Sequence, residues 1–131
     1  MVSFYEDNHN PGGNSYYKEN SIFYNESHKQ IRKTETLNTI IKEKNWPLPE
    51  LIKLDIQGAE IDALKGASDC LVKCTDIILE AQHANYNHNA PKIGEVIRFM
   101  ELLGYVLVDN FCKTDVDGDY HFKKINANLH R

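Results

Sequence analysis

The run Leu51-Ile52-Lys53-Leu54-Asp55-Ile56-Gln57-Gly58 constrains the fold more than any other part of the chain. It follows Pro47 and Pro49, is short and apolar, and ends on an acid and a turn-forming Gln-Gly pair, so Leu51 to Asp55 reads as an interior strand. Directly after it, Ala59 to Ala67 puts Ile61 and Leu64 on one helical face and Glu60 and Asp62 in the first turn, where the helix dipole favours acids. The rhythm then repeats. Asp76 to Ala81 reads as a second buried strand, and Pro91 to Leu103 as a helix with Ile93, Val96, Ile97 and Met100 in one stripe and Gly104 at its stop. Tyr105 to Asp109 reads as a third strand. Strand, helix, strand, helix, strand predicts an α/β fold with a parallel sheet and right-handed crossovers. Tyr120 to Lys124 follows with no helix before it, so this final strand is expected to run antiparallel beside its neighbour.

Upstream the signals are weaker. Leu37, Ile40 and Ile41 stand at helical spacing, with Thr34 or Thr36 available as the cap. Residues 1–33 are rich in Asn, Ser, Tyr and Gly, and Asn10-Pro11-Gly12-Gly13-Asn14 is a strong turn signal. Within them Val2 to Tyr5 and Ile22 to Tyr24 are short aromatic strand candidates. The chain is thus divided into a loop-rich segment, residues 1–33, an α/β body, residues 34–125, and a tail, residues 126–131.

With 131 residues, 41% of them hydrophobic, the chain can build one modest core. A formal net charge of −4 argues against a surface made to neutralise phosphates, so nucleic acid is not an expected partner. No apolar run reaches the roughly 20 residues that span a bilayer. The N-terminus opens Met1-Val2-Ser3-Phe4 without a basic region and apolar stretch, and a cytoplasmic location is expected. Cys70, Cys74 and Cys112 are odd in number and form no CxxC pair, which points to reduced thiols rather than a zinc site.

The block Leu51-Ile52-Lys53-Leu54-Asp55-Ile56-Gln57-Gly58-Ala59-Glu60-Ile61-Asp62-Ala63-Leu64-Lys65-Gly66-Ala67 resembles the hallmark of the FkbM methyltransferases, K-hydrophobic-D-hydrophobic-(E/Q)-G-A-E-x-x-x-L-K-G-A. Thr36-Leu37 resembles that family's T-L-D segment and Gly13-Asn14-Ser15 its small-polar loop. The Asp76 to Glu80 strand, Gly104-Tyr105 and Asp119-Tyr120-His121-Phe122 resemble its closing strands. The resemblance implies a class I, Rossmann-like methyltransferase domain that uses S-adenosylmethionine. No Gly-rich turn after a first strand and no acid after a second precede Thr34, so the chain is expected to be the C-terminal half of that domain, its N-terminal strands missing.

The resemblance implies that the region of Asp55 approaches the transferring methyl, so Asp55, Gln57, Gly58 and Glu60 are the cofactor-binding candidates, and position along the strands adds Glu80 and His83 to Asp55 as catalytic candidates. Asp55 ends a strand where open α/β sheets bind ligands, and can serve either as a base or as a cap for the following helix. Glu60 is equally accounted for by the helix dipole. Glu80 ends the next strand and is expected to share a crevice with Asp55. His83 reads as a proton acceptor, as a partner of Asp55 at a divalent cation, or as an exposed loop residue. No metal is expected: His83 and His88 lack a zinc motif, and in Asp115-Val116-Asp117-Gly118-Asp119 glycine stands fourth and Asn126 twelfth, which fails the EF-hand pattern and reads as a polar turn. Tyr16, Tyr17, Tyr24 and Tyr86 are candidates to line an acceptor pocket. Two functions follow as expectations. One is an O-methyltransferase acting on a hydroxyl of a glycan, lipid or natural product; the other is a catalytically silent α/β module for binding or assembly. An interior-type strand left at an edge also predicts self-association.

Overall fold

The computed structural model of the chain describes residues 1–111 and 113–126, leaving Cys112 and residues 127–131 of the expected tail outside. Two sheets are present. The small one pairs β1 (Val2–Tyr5) with β2 (Lys29–Arg32) antiparallel. The larger holds β3 (Leu51–Leu54), β4 (Asp76–Gln82), β5 (Tyr105–Phe111) and β6 (Asp117–Lys124) in the order β3-β4-β6-β5. Helices α1 (Leu37–Lys44), α2 (Glu60–Lys65) and α3 (Ile93–Leu102) connect them.

β3 and β4 are parallel, with Ile52 opposite Ile77 and Leu54 opposite Leu79. β6 is antiparallel, as its lack of a crossover helix requires, but it lies between β4 and β5 and pairs with both. The sheet is therefore mixed. The last strand also begins earlier than its alternation suggested: Asp117, Gly118 and Asp119 are ladder residues opposite Gln82, Ala81 and Glu80, not a turn. Among the described residues β3 pairs only with β4, so the strand that reads as interior ends the sheet.

Alternation along each strand separates the two sheet faces. Ile52, Ile77, Leu79, Tyr105, Tyr120 and Phe122 point to one face and are buried there with Ile61 and Leu64 of α2 and Val96 and Met100 of α3. Cys70 and Cys74, both free, fill the same core from the connection after α2. The other face has no helix over it among the described residues. Leu51 (54% exposed) and Val106 (44%) stand there beside a polar ladder in which Asp76 Oδ1 accepts from His121 Nε2 at 2.7 Å and pairs with Lys123 Nζ at 2.9 Å. Thr75, Lys123 and His121 together hold the Asp76 carboxyl well below the usual carboxylate range.

In the N-terminal segment Val2 to Tyr5 is a strand, but Ile22 to Tyr24 is not, and its place opposite β1 is taken by β2. Tyr24 instead buries its ring inside the segment and gives its hydroxyl to the Asn10 carbonyl, which makes the aromatic signal one of a loop core. The cap of α1 is Thr36, whose Oγ1 accepts from the Thr39 N–H at 3.1 Å.

Candidate active site

Asp55 follows the last residue of β3, and because Leu54 lies opposite Leu79, Glu80 is its neighbour on β4. The chain between Asp55 and α2 turns sharply through two left-handed residues, Gln57 at φ 54° and Gly58 at φ 100°. Gly58 is demanded twice over, by its dihedral and by space: a Cβ there would stand 2.5 Å from the Ala90 Cβ. Glu60 is buried, and its carboxylate turns back to accept from the Ile56 N–H at 2.9 Å. Burial pushes its pKa up, against the pull of the loop's own N–H groups at Ile56, Glu60 and Gly58. Glu60 thus braces the loop from within, the role the dipole argument allowed it.

The other face of this turn is chemical. Gln57 Nε2 donates to Asp55 Oδ1 at 3.0 Å and to Glu80 Oε1 at 3.1 Å, so one amide joins the two carboxylates. Asp55 is open to solvent and has Lys53 Nζ 4.0 Å from its Oδ2. Glu80 is half-buried and faces Asp119 across the β4–β6 ladder. Its pKa is pushed up to about 7, first by burial and then by the charges of Asp55, Asp117, Glu60 and Asp119. Asp117 and Asp119 were not read as site residues, because a run of acids around glycine looks like a turn until its pairing partner is known.

His83 goes elsewhere. It follows β4, bonds its backbone N–H to Val116 O at 2.7 Å, and sets Nε2 against the Tyr120 hydroxyl. Tyr120 lies opposite Leu79 on the helix-covered face, while Glu80 and Asp119 lie on the open one, so the imidazole is not brought to the Asp55–Glu80 pair. Among the described residues no three His, Cys, Asp or Glu side chains are arranged to hold a metal ion. Gln82, buried, instead acts as a clamp: its Oε1 accepts from Asn87 N at 2.8 Å and its Nε2 donates to Ala90 O at 2.9 Å, fixing the loop that packs on Gly58.

Of the four tyrosines, Tyr16 and Tyr17 converge on α2, giving their hydroxyls to Asp62 Oδ2 at 2.9 and 2.8 Å. Tyr16 lines an open cavity of about 430 Å³ together with Val2, Leu37, Leu54, Ile56 and Asp62. Neither Asp55 nor Glu80 lines it. Tyr24 is buried in the N-terminal segment.

No helix of the described residues is long and apolar enough to cross a membrane. Neither the curated proteins nor the solved structures contain a match to this chain. The model of the methyltransferase FkbM domain matches residues 3–107, which takes in the Asp55–Gly58 turn, Glu80 and the strands that carry them, and the chain therefore belongs to the FkbM methyltransferase family.

Proposed function

We propose that the chain forms the acceptor side of an S-adenosylmethionine-dependent O-methyltransferase with a Rossmann-like sheet, acting on a hydroxyl of a glycan, lipid or natural product. The observation that carries this reading is the amide bridge between Asp55 and Glu80 at the C-terminal ends of two parallel strands, the end at which open α/β sheets bind ligands. Carboxylates of Asp55, Glu80, Asp117 and Asp119 gathered there suit the cationic methionine end of the donor. The Gly-rich turn after a first strand and the acid after a second, which the family resemblance implies for the methionine and ribose parts, are not found among the described residues, so the fit rests on the charge of this cluster alone.

S-adenosylmethionine, when bound, supplies a methyl group on a sulfonium, whose passage to a hydroxyl breaks an S–C bond, forms an O–C bond and frees one proton. Asp55, exposed at the crevice, accepts that proton as a general base and returns it to water. Glu60 and Gly58 hold the turn that aims it. A net charge of −4 supports an acceptor other than nucleic acid, and the reading includes a cytoplasmic location.

The rival is a silent α/β module that binds or assembles, favoured by β3 having a partner on one side only among the described residues. Calorimetric titration of S-adenosylmethionine into the purified chain separates the two. The methyltransferase reading expects saturable binding, and no heat of binding at any protein concentration sinks it for this chain.

Self-association belongs to either reading. The outer edge of β3 leaves backbone N–H and C=O groups without a strand, and Leu51 lies half exposed beside it. Sedimentation is expected to show a concentration-dependent dimer, with Leu51→Lys shifting it toward monomer. A species that stays monomeric at high concentration removes this proposal.

A further inference from the structure

Gln57 holds a left-handed backbone conformation at φ 54°. A left-handed backbone favours Gly or Asn, and a long glutamine side chain there is disfavoured unless something offsets it. What offsets it is visible in its contacts: the two hydrogens of one amide nitrogen go to two different acids, one on the loop and one on β4. An amide between carboxylates does what a carboxylate could not. It neutralises neither acid, yet it gives both a shared donor that offsets part of the repulsion between them.

We propose, resting on the methyl-transfer reading of this site, that Gln57 is the positioning residue of the acid pair: its amide holds Asp55 toward the acceptor and couples it to Glu80, so that the two carboxyls titrate as one unit. The groups that face Glu80 are Asp55 on the turn, Glu60 at the start of α2 and Asp117 and Asp119 on β6, and Lys53 on β3 faces Asp55. One of these is a cation and the rest are acids, so the pair sits in a field that favours keeping one proton. Burial and these charges favour the proton on Glu80, the more buried partner, while Asp55 is exposed and open to the acceptor hydroxyl. A proton on Glu80 removes one charge from beside Asp55, and Gln57 supplies the geometry that links the two carboxyls.

The test reads protons, not turnover, so its outcome is independent of whether the chain binds a methyl donor. Carboxyl carbon NMR titration of the whole chain follows Asp55, Glu80 and, as a distant control, Asp76. Gln57→Leu removes both donors to the ionised forms, and is expected to raise the proton affinity of Glu80 by about tenfold and that of Asp55 in the same direction, with Asp76 unmoved. A merely structural glutamine predicts no such selective shift, and unchanged Asp55 and Glu80 titrations in a folded Gln57→Leu protein overturn the proposal. Should that variant not fold, the unaltered protein still decides. The two Gln57 side-chain amide protons are expected to move with pH in step with Glu80, and amide resonances flat across that titration also overturn it. If calorimetry fails to detect S-adenosylmethionine while the coupled titration is present, the coupling stands and only the methyl-transfer reading falls.

Discussion

Asp55→Asn is expected to lower methyl transfer by about a hundredfold, the scale typical of losing a positioned general base. Asparagine is nearly isosteric, and its side-chain oxygen can still accept the Gln57 amide that reaches Asp55 at 3.0 Å, so the turn should keep its shape. What disappears is the ability to take a proton. Because Asp55 is exposed and, among the described residues, its close cation is Lys53 at 4.0 Å, the substitution should change stability by less than about 0.5 kcal/mol. The measurement is transfer of labelled methyl from S-adenosylmethionine to an acceptor hydroxyl, run beside a thermal melt. Loss of turnover with an unchanged melt identifies a chemical role. Turnover equal to that of the unsubstituted chain leaves Asp55 as a brace for the turn and removes it from the reaction.

Gly58→Ala is expected to destabilise the chain by about 3 kcal/mol, the sum of about 1–2 for an alanine at positive φ and about 1–3 for an overpacked contact. The contact is specific: the new methyl would lie 2.5 Å from the Ala90 Cβ and 3.4 Å from the Tyr17 Cβ. Neither neighbour yields readily, because Gln82 clamps the Ala90 carbonyl at 2.9 Å and the Tyr17 hydroxyl is held by Asp62 at 2.8 Å. For a domain whose whole stability is on the order of 5–15 kcal/mol, that loss should lower the melting temperature by about 10 °C. Gly104→Ala is the control. It has the same need for positive φ, at 84°, but nothing within 4 Å of a new methyl, so it should cost only about 1 kcal/mol. Equal costs at the two positions would show that backbone strain alone matters, and that the Gly58 turn is looser than its packing suggests.

Much of the body was legible in the chain itself. The existence of β3 and β4 as strands, the start of α2 directly after a strand and the stop of α3 at Gly104 all follow from side-chain type and spacing, unlike the open second face of these two apolar runs, because each is settled within a few residues. So is the turn at Gln57-Gly58, where a glycine after a strand end announces a left-handed bend. The N-terminal segment was less legible. Tyr24 looks like a strand residue and is a loop anchor, since an aromatic ring can be buried by either and only its hydroxyl's partner, the Asn10 carbonyl, distinguishes them.

What only the tertiary structure decided is which side chains meet. Asp55 and Glu80 are far apart in the chain, and both end strands, but their joining depends on the β3–β4 register and on a left-handed Gln57 that reaches them both. Asp117 and Asp119 enter the same cluster because β6 inserts antiparallel between β4 and β5, an order that local periodicity does not encode. His83, adjacent to the site in sequence, is carried to Tyr120 on the covered face because successive residues of a strand point in opposite directions. Local pattern determines the elements through the energetics of short segments, whereas the charge environment of Glu80 is a sum over residues that only the assembled sheet brings within reach.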